Sequence, residues 1–253
     1  MPSSYATHWS LDPRVTFLNH GSYGACPTAV LAHQQTLRQA IEKQPVRFFM
    51  RDIYAHIDQA RTALAQFIGA RANDLVFIRN TTEGVNSIVR SFDFKAGDEI
   101  LVTNHGYNAC KNIVDFVAKR TGASVVVAKF GFEGINSEFV SERILDAVTP
   151  RTRLAIIDHV TSPTGLVLPI DHIAESLETL GVRVLIDGAH GPGMLDLSMN
   201  QLSASWYVGN LHKWVCAPKG AAFIWIREDL QPSTRPAVIS HGFGLNAEEL
   251  GRP

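Results

Sequence analysis

The stretch VRVLIDGAHG, Val182–Gly191, gives the clearest indication of the fold. It begins as a short β-branched apolar run, ends that run in Asp187, and then turns through two glycines. Such a run is typical of a strand buried on both faces, as in a parallel sheet covered by helices. An ionised carboxylate at the end of a buried strand requires a partner, and the adjacent sequence offers no obvious cation. Asp187 is therefore the first candidate for a functional residue.

Similar apolar runs alternate with amphipathic stretches along most of the chain. The predicted strands are Leu75–Arg79, Glu99–Thr103, Ser124–Lys129, Leu154–Asp158, Arg183–Asp187, Trp206–Val208 and Ala221–Ile226. The predicted helices are Thr28–Lys43, Ile53–Ile68, Glu83–Ser91, Ala109–Thr121, Ser137–Val148 and Ile170–Leu180. This alternation predicts an α/β fold of three layers, α/β/α, with a mostly parallel seven-stranded sheet sandwiched by helices. The last strand is expected to be antiparallel, because the short turn before it leaves no room for a crossover helix.

Composition narrows the class of protein. The chain has 253 residues, 45% of them hydrophobic, which suffices for one sizeable core. Its net charge of −1 gives no reason to expect a nucleic-acid or membrane partner. The widely spaced Cys26, Cys110 and Cys216 argue against a disulfide framework or a zinc site, and Cys216 is expected to be a small buried packing residue. We find no signal peptide and no apolar run near the ~20 residues of a membrane span, so a cytoplasmic location is expected.

Polar residues follow several of the predicted strands, and ligands of open α/β sheets bind at these carboxyl ends. Thr81 and Thr82 follow the first strand at the start of a helix, where hydroxyls and free amides suit a phosphate group. Ordinary helix capping explains the same residues equally simply. Tyr107 follows the second strand and could stack on a flat ring, or it could pack on the core.

Two further loops add polar groups. Ser162 lies in the loop after the fourth strand, where its hydroxyl could bond a phenolic oxygen, although turn chemistry alone explains the local Pro-Thr-Gly. His190 follows Asp187 by three residues and could orient that carboxylate or contact a cofactor.

The segment GNLHKW, Gly209–Trp214, places Lys213 between His212 and a tryptophan. A lysine beside bulky apolar groups can have a lowered pKa and react with aldehydes. A carboxylate for a ring nitrogen and a lysine for an aldehyde are the two ends of a site for pyridoxal 5'-phosphate. Asp187 would then pair with the pyridine nitrogen, and Lys213 would form the Schiff base.

Several blocks of the chain resemble the class V aminotransferase family of fold-type I pyridoxal-phosphate enzymes, and within it the isopenicillin N epimerase-like group. The matching blocks are FLNHGSYGACP (Phe17–Pro27), RNTTEGVN (Arg79–Asn86), NHGYNA (Asn104–Ala109), DHVTSPTGLVLPI (Asp158–Ile170), IDGAHGPG (Ile186–Gly193) and GNLHKW (Gly209–Trp214). They occur in the family's order and cover nearly the whole chain. The resemblance implies that the α/β fold is the large domain of these enzymes.

The resemblance also implies a role for each matching residue. Lys213 would be the catalytic residue, carrying the Schiff base and moving the α-proton, and Asp187 would hold the pyridinium. The other implied contacts are stacking on the ring by Tyr107, phosphate binding by Thr81, Thr82 and His212, proximity to the phenolic oxygen for Ser162 and His190, and a substrate-side position for Asn19 and His20. A homodimer is implied as well, because active sites in this class lie between subunits.

The implied organisation has three parts. Residues 1–27 form an N-terminal substrate-side segment, residues 28–228 form the cofactor-binding large domain, and residues 229–253 lead toward a C-terminal small domain. The chain contains no counterpart of the Gly-Thr-Arg-Asp-like block that this small domain normally supplies. We therefore expect the small domain to be missing from the sequence.

The leading functional hypothesis is a pyridoxal-phosphate enzyme that acts on an amino acid, a small-molecule substrate, by epimerase, aminotransferase or C–S lyase chemistry through a Schiff base with Lys213. One alternative is a truncated domain that binds the cofactor but has no catalytic activity. A second alternative is a metal-dependent hydrolase whose ligands would be Asp158, His159, Asp187 and His190.

Overall fold

Seven strands form one continuous sheet in the computed structural model, which describes residues 3–244. In chain order they are β1 (Leu75–Ile78), β2 (Glu99–Thr103), β3 (Ser124–Ala128), β4 (Thr152–Asp158), β5 (Arg183–Asp187), β6 (Trp206–Asn210) and β7 (Ala222–Ile226). Their order across the sheet is β1-β7-β6-β5-β4-β2-β3. Neighbours from β3 to β6 are parallel, whereas β7 is antiparallel to both β6 and β1. The mostly parallel sheet and the antiparallel last strand are thus confirmed.

Helices cover both faces of this sheet. They are α1 (Thr28–Lys43), α2 (Pro45–Arg47), α3 (Ile53–Ile68), α4 (Thr81–Ser91), α5 (Asn108–Thr121), α6 (Ser137–Leu145) and α7 (Ile170–Thr179). Apolar side chains of α4 and α5 pack on one face, and those of α3, α6 and α7 pack on the other. The three-layer α/β/α architecture is therefore also confirmed.

The central strand β4 shows why the predicted strands are apolar without interruption. Leu154 and Ile156 belong to the core beneath α4 and α5. Ala155 and Ile157, which alternate with them, belong to the core on the opposite face. Successive side chains of a strand point to opposite faces, so a sheet covered on both sides requires apolar residues at every position.

Local hydrogen bonds move two element boundaries from their predicted positions. Helix α4 begins at Thr81 instead of Glu83, because the Asn80 side-chain oxygen accepts the Glu83 backbone N–H at 2.9 Å and caps the helix. Strand β6 continues to Asn210, two residues beyond Val208, because it pairs with β7 along its full length. With these boundaries, Thr81 is the first residue of α4 and Asn210 is the last residue of β6, at the carboxyl edge of the sheet.

The segment after β7 docks in part against the sheet. The Trp206 indole N–H donates to Thr234 Oγ1 at 2.9 Å, and Leu230 packs into the core beneath α4. Residues 245–253 of the predicted connecting segment lie outside the described residues, as do residues 1 and 2. Among the helices of residues 3–244, none has the length and apolar character needed to cross a bilayer.

Candidate active site

A cavity of about 530 Å³ opens at the carboxyl edge of the sheet. The β4–β5 register places Asp158 directly beside Asp187 at this edge. The sequence-predicted residues that line the cavity are Asn19, Thr81, Thr82, Tyr107, Ser162, Asp187, His190, His212 and Lys213. The carboxyl ends of parallel strands meet at one edge, which explains why residues so distant in sequence come together.

One end of the cavity is formed by the start of α4. The Thr81 backbone N–H donates to Asn210 Oδ1 at 3.0 Å, but the buried Thr81 hydroxyl has no hydrogen-bond partner within the described part of the chain. A buried hydroxyl without a partner at a helix N-terminus suits an anionic oxygen, because it and the helix dipole would both be satisfied. This end of the cavity therefore fits a phosphate group.

His212 lies at the same end. Its Nδ1 contacts the Ala221 carbonyl at 2.8 Å and must donate to it, because a carbonyl oxygen only accepts. Nε2 is then the ring nitrogen available to a ligand. Burial lowers the pKa of His212, and the positive charges of Lys213 and Lys219 lower it further, against the carbonyl bond that raises it.

Asp187 also lines the cavity and is only 3% exposed. Its Oδ1 accepts the Ala189 backbone N–H at 3.0 Å, and its Oδ2 accepts the Cys110 thiol at 3.1 Å. Burial raises the pKa of the Asp187 carboxyl, while these two hydrogen bonds and Lys213 lower it. A protonated ring nitrogen would supply the cation that this buried carboxylate lacks.

The glycines of the Asp187 loop are required by a tyrosine beneath it. A Cβ on Gly188 or on Gly191 would overlap the ring or hydroxyl of Tyr207. Tyr207 is fully buried in β6, and its hydroxyl contacts His159 Nδ1 at 3.1 Å. The DGAHG spacing therefore lets the loop lie flat on this ring and fixes where Asp187 and His190 point.

Lys213 lies in the loop between β6 and β7. Its Nζ is 2.9 Å from His190 Nε2, and the Trp214 indole N–H donates to His190 Nδ1 at 3.2 Å. Burial lowers the pKa of Lys213, against the raising effect of the nearby Asp187. Burial and the positive charge of Lys213 lower the pKa of His190 to about 4. The lysine is thus placed where its amine is easily deprotonated.

The N-terminal loop closes over the lysine loop. A Cβ on Gly24 would overlap the backbone carbonyls of His212 and Lys213, so only glycine permits this approach. Asn19, which lines the cavity, is held by reciprocal bonds with Ser22. The N-terminal loop therefore lies against the cavity, and its role on the substrate side remains a prediction.

Two sequence predictions differ from the structure. Cys216 is half-buried and not a buried packing residue, since it lies at a turn with φ of +60°. His20 points toward it, with Nδ1 3.6 Å from the Cys216 sulfur, and is not among the residues that line the cavity. Of the predicted pair, Asn19 faces the cavity and His20 lies behind the lysine loop.

Three neighbours of the site were missed in the sequence. Cys110 bonds Asp187, Asn210 holds the start of α4, and Trp214 bonds His190. Asn210 could have been found, because it is a polar residue at the end of a buried strand. Nothing in the sequence signals the Cys110 contact, since it depends on how α5 packs over β5.

The four proposed metal ligands do not form one set. His159 is directed to Tyr207, whereas His190 is directed to Trp214 and Lys213. Within residues 3–244, no group of three or more His, Cys, Asp or Glu side chains is arranged to hold a metal ion.

A sequence model of the family described as Aminotransferase class-V matches residues 24–244. Isopenicillin N epimerase of Amycolatopsis lactamdurans is 36% identical over 242 residues, which cover 94% of this chain and 61% of the epimerase. A probable chloroplastic L-cysteine desulfhydrase of Arabidopsis thaliana is 31% identical over 86% of this chain and 49% of its own length. The chain thus spans about half to three fifths of the length of these relatives.

Two solved structures of C-DES also align with most of this chain. The cystine C–S lyase C-DES in complex with its product cysteine persulfide aligns with a TM-score of 0.80 and 27% identity, over 87% of this chain and 59% of C-DES. A C-DES variant with glycine covalently linked to the PLP cofactor aligns with a TM-score of 0.81 and 26% identity, over 88% of this chain and 60% of C-DES.

Proposed function

Because the chain belongs to the class V aminotransferase family, we propose that it binds pyridoxal 5'-phosphate in the cavity and removes the α-proton of an amino acid substrate. One observation carries this proposal: Lys213, Asp187 and Thr81 line the same cavity, and the Thr81 hydroxyl has no hydrogen-bond partner among residues 3–244. An amine for the aldehyde, a carboxylate for the ring nitrogen and an anion site for the phosphate are the three requirements of this cofactor.

The phosphate end would use Thr81, Thr82 and His212. The two threonines begin α4, where the Thr81 and Glu83 backbone N–H groups are already bonded to Asn210 and Asn80. The two threonine hydroxyls and the Thr82 backbone N–H are the groups of this turn that would donate to a phosphate. His212 can add one hydrogen bond through Nε2, because its Nδ1 is already committed to a carbonyl.

The ring would lie between Tyr107 and the Asp187 loop. Tyr107 lines the cavity and is 46% exposed, so its face is available for stacking. Ser162 and His190 are the hydroxyl and imidazole that could contact the phenolic oxygen. When bound, the cofactor would supply an electron sink for the charge that develops at the substrate Cα.

Lys213 would attach the cofactor aldehyde and move the Cα proton. Both tasks need an unprotonated amine, and burial of this side chain favours that form. Epimerisation and C–S bond cleavage both begin with loss of the Cα proton, so one lysine can serve either reaction. The 36% identity to an isopenicillin N epimerase supports epimerisation, and the C-DES and desulfhydrase relatives support a C–S lyase that acts on a sulfur amino acid.

A homodimer belongs to the same proposal. The described N-terminal region exposes large apolar side chains at Leu18, Tyr23, Val46, Phe49 and Met50. Helix α1 has no buried residue, so one side of the molecule offers an apolar face to a partner. The division into segments 1–27, 28–228 and 229–253 remains a prediction.

The test is a panel of amino acids added to the cofactor-loaded chain, followed by absorbance, product chirality and sulfide release. The proposal predicts a visible absorbance band that added amino acids change. Lys213→Ala should abolish the band, whereas Lys219→Ala, at an exposed lysine nearby, should retain it. A band that no amino acid perturbs would favour a cofactor-binding domain without turnover.

A further inference from the structure

Three side chains at the lysine loop form a short hydrogen-bonded series. Trp214 Nε1 lies 3.2 Å from His190 Nδ1, and His190 Nε2 lies 2.9 Å from Lys213 Nζ. All three residues line the cavity. The direction of each hydrogen bond in this series follows from the chemistry of the groups.

The indole N–H can only donate, so His190 Nδ1 must accept. A neutral imidazole carries a single N–H, which therefore resides on Nε2. Nε2–H then donates to Lys213 Nζ, and an atom that accepts a hydrogen bond must have a free lone pair. An ammonium group has none, so the observed series is compatible only with the neutral amine of Lys213.

We propose that Trp214 is a positioning residue that fixes the tautomer of His190 and thereby keeps the free amine of Lys213 unprotonated. The tryptophan acts on Lys213 through the imidazole. The protonation state follows from the chain alone, and only its use in catalysis rests on the proposed function.

The N-terminal loop holds this series in place. A Cβ on Gly21 would lie 2.8 Å from Trp214 Cζ2 and 3.1 Å from His190 Nδ1, so the backbone of this loop packs against both rings. The N-terminal loop thus packs against the indole and the imidazole from outside the lysine loop and holds the two rings in contact.

The surrounding groups act in both directions. Burial lowers the pKa values of Lys213 and His190. Asp187 from β5 acts against this and raises the pKa of Lys213. The Nε2–H bond therefore opposes a carboxylate that would otherwise favour the ammonium form.

This arrangement also disfavours protonation of Lys213. When Nζ takes up a proton, it loses the lone pair that accepted Nε2–H, and the two N–H groups then face each other. Contact between two donors disfavours the ammonium form.

The test uses the cofactor-free full chain, so its result does not depend on cofactor binding or turnover. Nitrogen-15 NMR of the histidine rings should show His190 with a protonated Nε2 and a bare Nδ1 in the wild type. A protonated Nδ1 in the wild type would overturn the proposal whatever any variant does.

In Trp214→Phe, no indole N–H holds His190 Nδ1 as an acceptor, so the imidazole proton should no longer be confined to Nε2. The rate of reductive methylation at Lys213 near neutral pH should fall by about fivefold, the equivalent of one net hydrogen bond. Trp225→Phe is the matched control, because the buried Trp225 indole N–H has no partner and the residue lies away from the cavity. The control should leave both readouts unchanged. A folded Trp214→Phe chain with wild-type readouts would also overturn the proposal.

Discussion

The Cys110 thiol donates a hydrogen bond to Asp187 Oδ2 at 3.1 Å, across the boundary between helix α5 and strand β5. Both residues are buried, and burial together with the adjacent carboxylate raises the pKa of the thiol, which keeps its proton. A neutral thiol is a weak donor that steadies a carboxylate without neutralising it. The hydrogen bond from Cys110 therefore leaves the Asp187 carboxylate able to pair with a cation.

Cys110→Ala should weaken pyridoxal phosphate binding. Loss of the thiol removes a bond that lowers the pKa of Asp187, so the carboxyl becomes easier to protonate and pairs less well with the ring nitrogen. We expect an affinity loss of about 1 kcal/mol, or roughly fivefold, in a fluorescence titration. Cys110→Ser should restore most of it, and Cys26→Ala, at a buried cysteine away from Asp187, should bind as the wild type. Equal affinity for the Ala and Ser variants would count against this role.

Thr81→Val should have opposite effects on stability and on binding. The Thr81 hydroxyl is buried without a partner, so its replacement by a methyl group should stabilise the cofactor-free chain by about 1 kcal/mol in urea unfolding. The same change should weaken phosphate binding by about 2 kcal/mol, because a hydrogen bond to a charged group is lost. Thr103→Val is the control, since that hydroxyl is also unpartnered but lies away from the cavity. It should stabilise the chain and leave phosphate binding unchanged.

Gly191→Ala should destabilise the fold, because the new methyl group would overlap the Tyr207 hydroxyl. Overpacking of this kind costs about 1–3 kcal/mol, measurable as a lower urea midpoint. Gly131→Ala is the control, since its Cβ would meet no atom within 4 Å. If both variants unfold at the same urea concentration, the close packing of the loop on Tyr207 is wrong.

Asp158 predicts a pH dependence of stability. Burial and the adjacent Asp187 raise its pKa well above the ordinary value of 3.8. The folded chain then holds this proton more tightly than the unfolded chain, so stability falls as pH rises from the ordinary value through the raised one. Asp158→Asn, which cannot ionise, should flatten this fall as pH rises above the ordinary pKa of 3.8 in urea unfolding of the cofactor-free chain. Asp115→Asn, on the exposed side of α5, should leave the slope unchanged.

The sequence was sufficient to place the strands and most of the cavity. Asp187 and Lys213 could be predicted because each follows a short apolar run, and parallel topology then brings the strand ends together. The uninterrupted apolar character of β4 and β5 likewise predicted a sheet covered on both faces. Both patterns involve only neighbouring residues, so they can be read without knowing how the elements pack together.

Contacts between elements could not be read in the same way. The Cys110–Asp187 bond depends on the height at which α5 crosses β5, and no periodicity encodes that height. The direction of His20 depends on where the N-terminal loop packs against Trp214, so its placement behind the lysine loop was not predictable. How a helix is positioned over a strand depends on the shapes of both packed surfaces, which short sequence patterns do not describe.

The central claim is that Lys213 holds pyridoxal phosphate, and borohydride reduction of the cofactor-loaded chain followed by peptide mass mapping tests it most directly. The account predicts a single reduced adduct on the peptide that contains Lys213, absent from Lys213→Ala and retained in Lys219→Ala. An adduct on another lysine, or no adduct in a folded chain with excess cofactor, would contradict it.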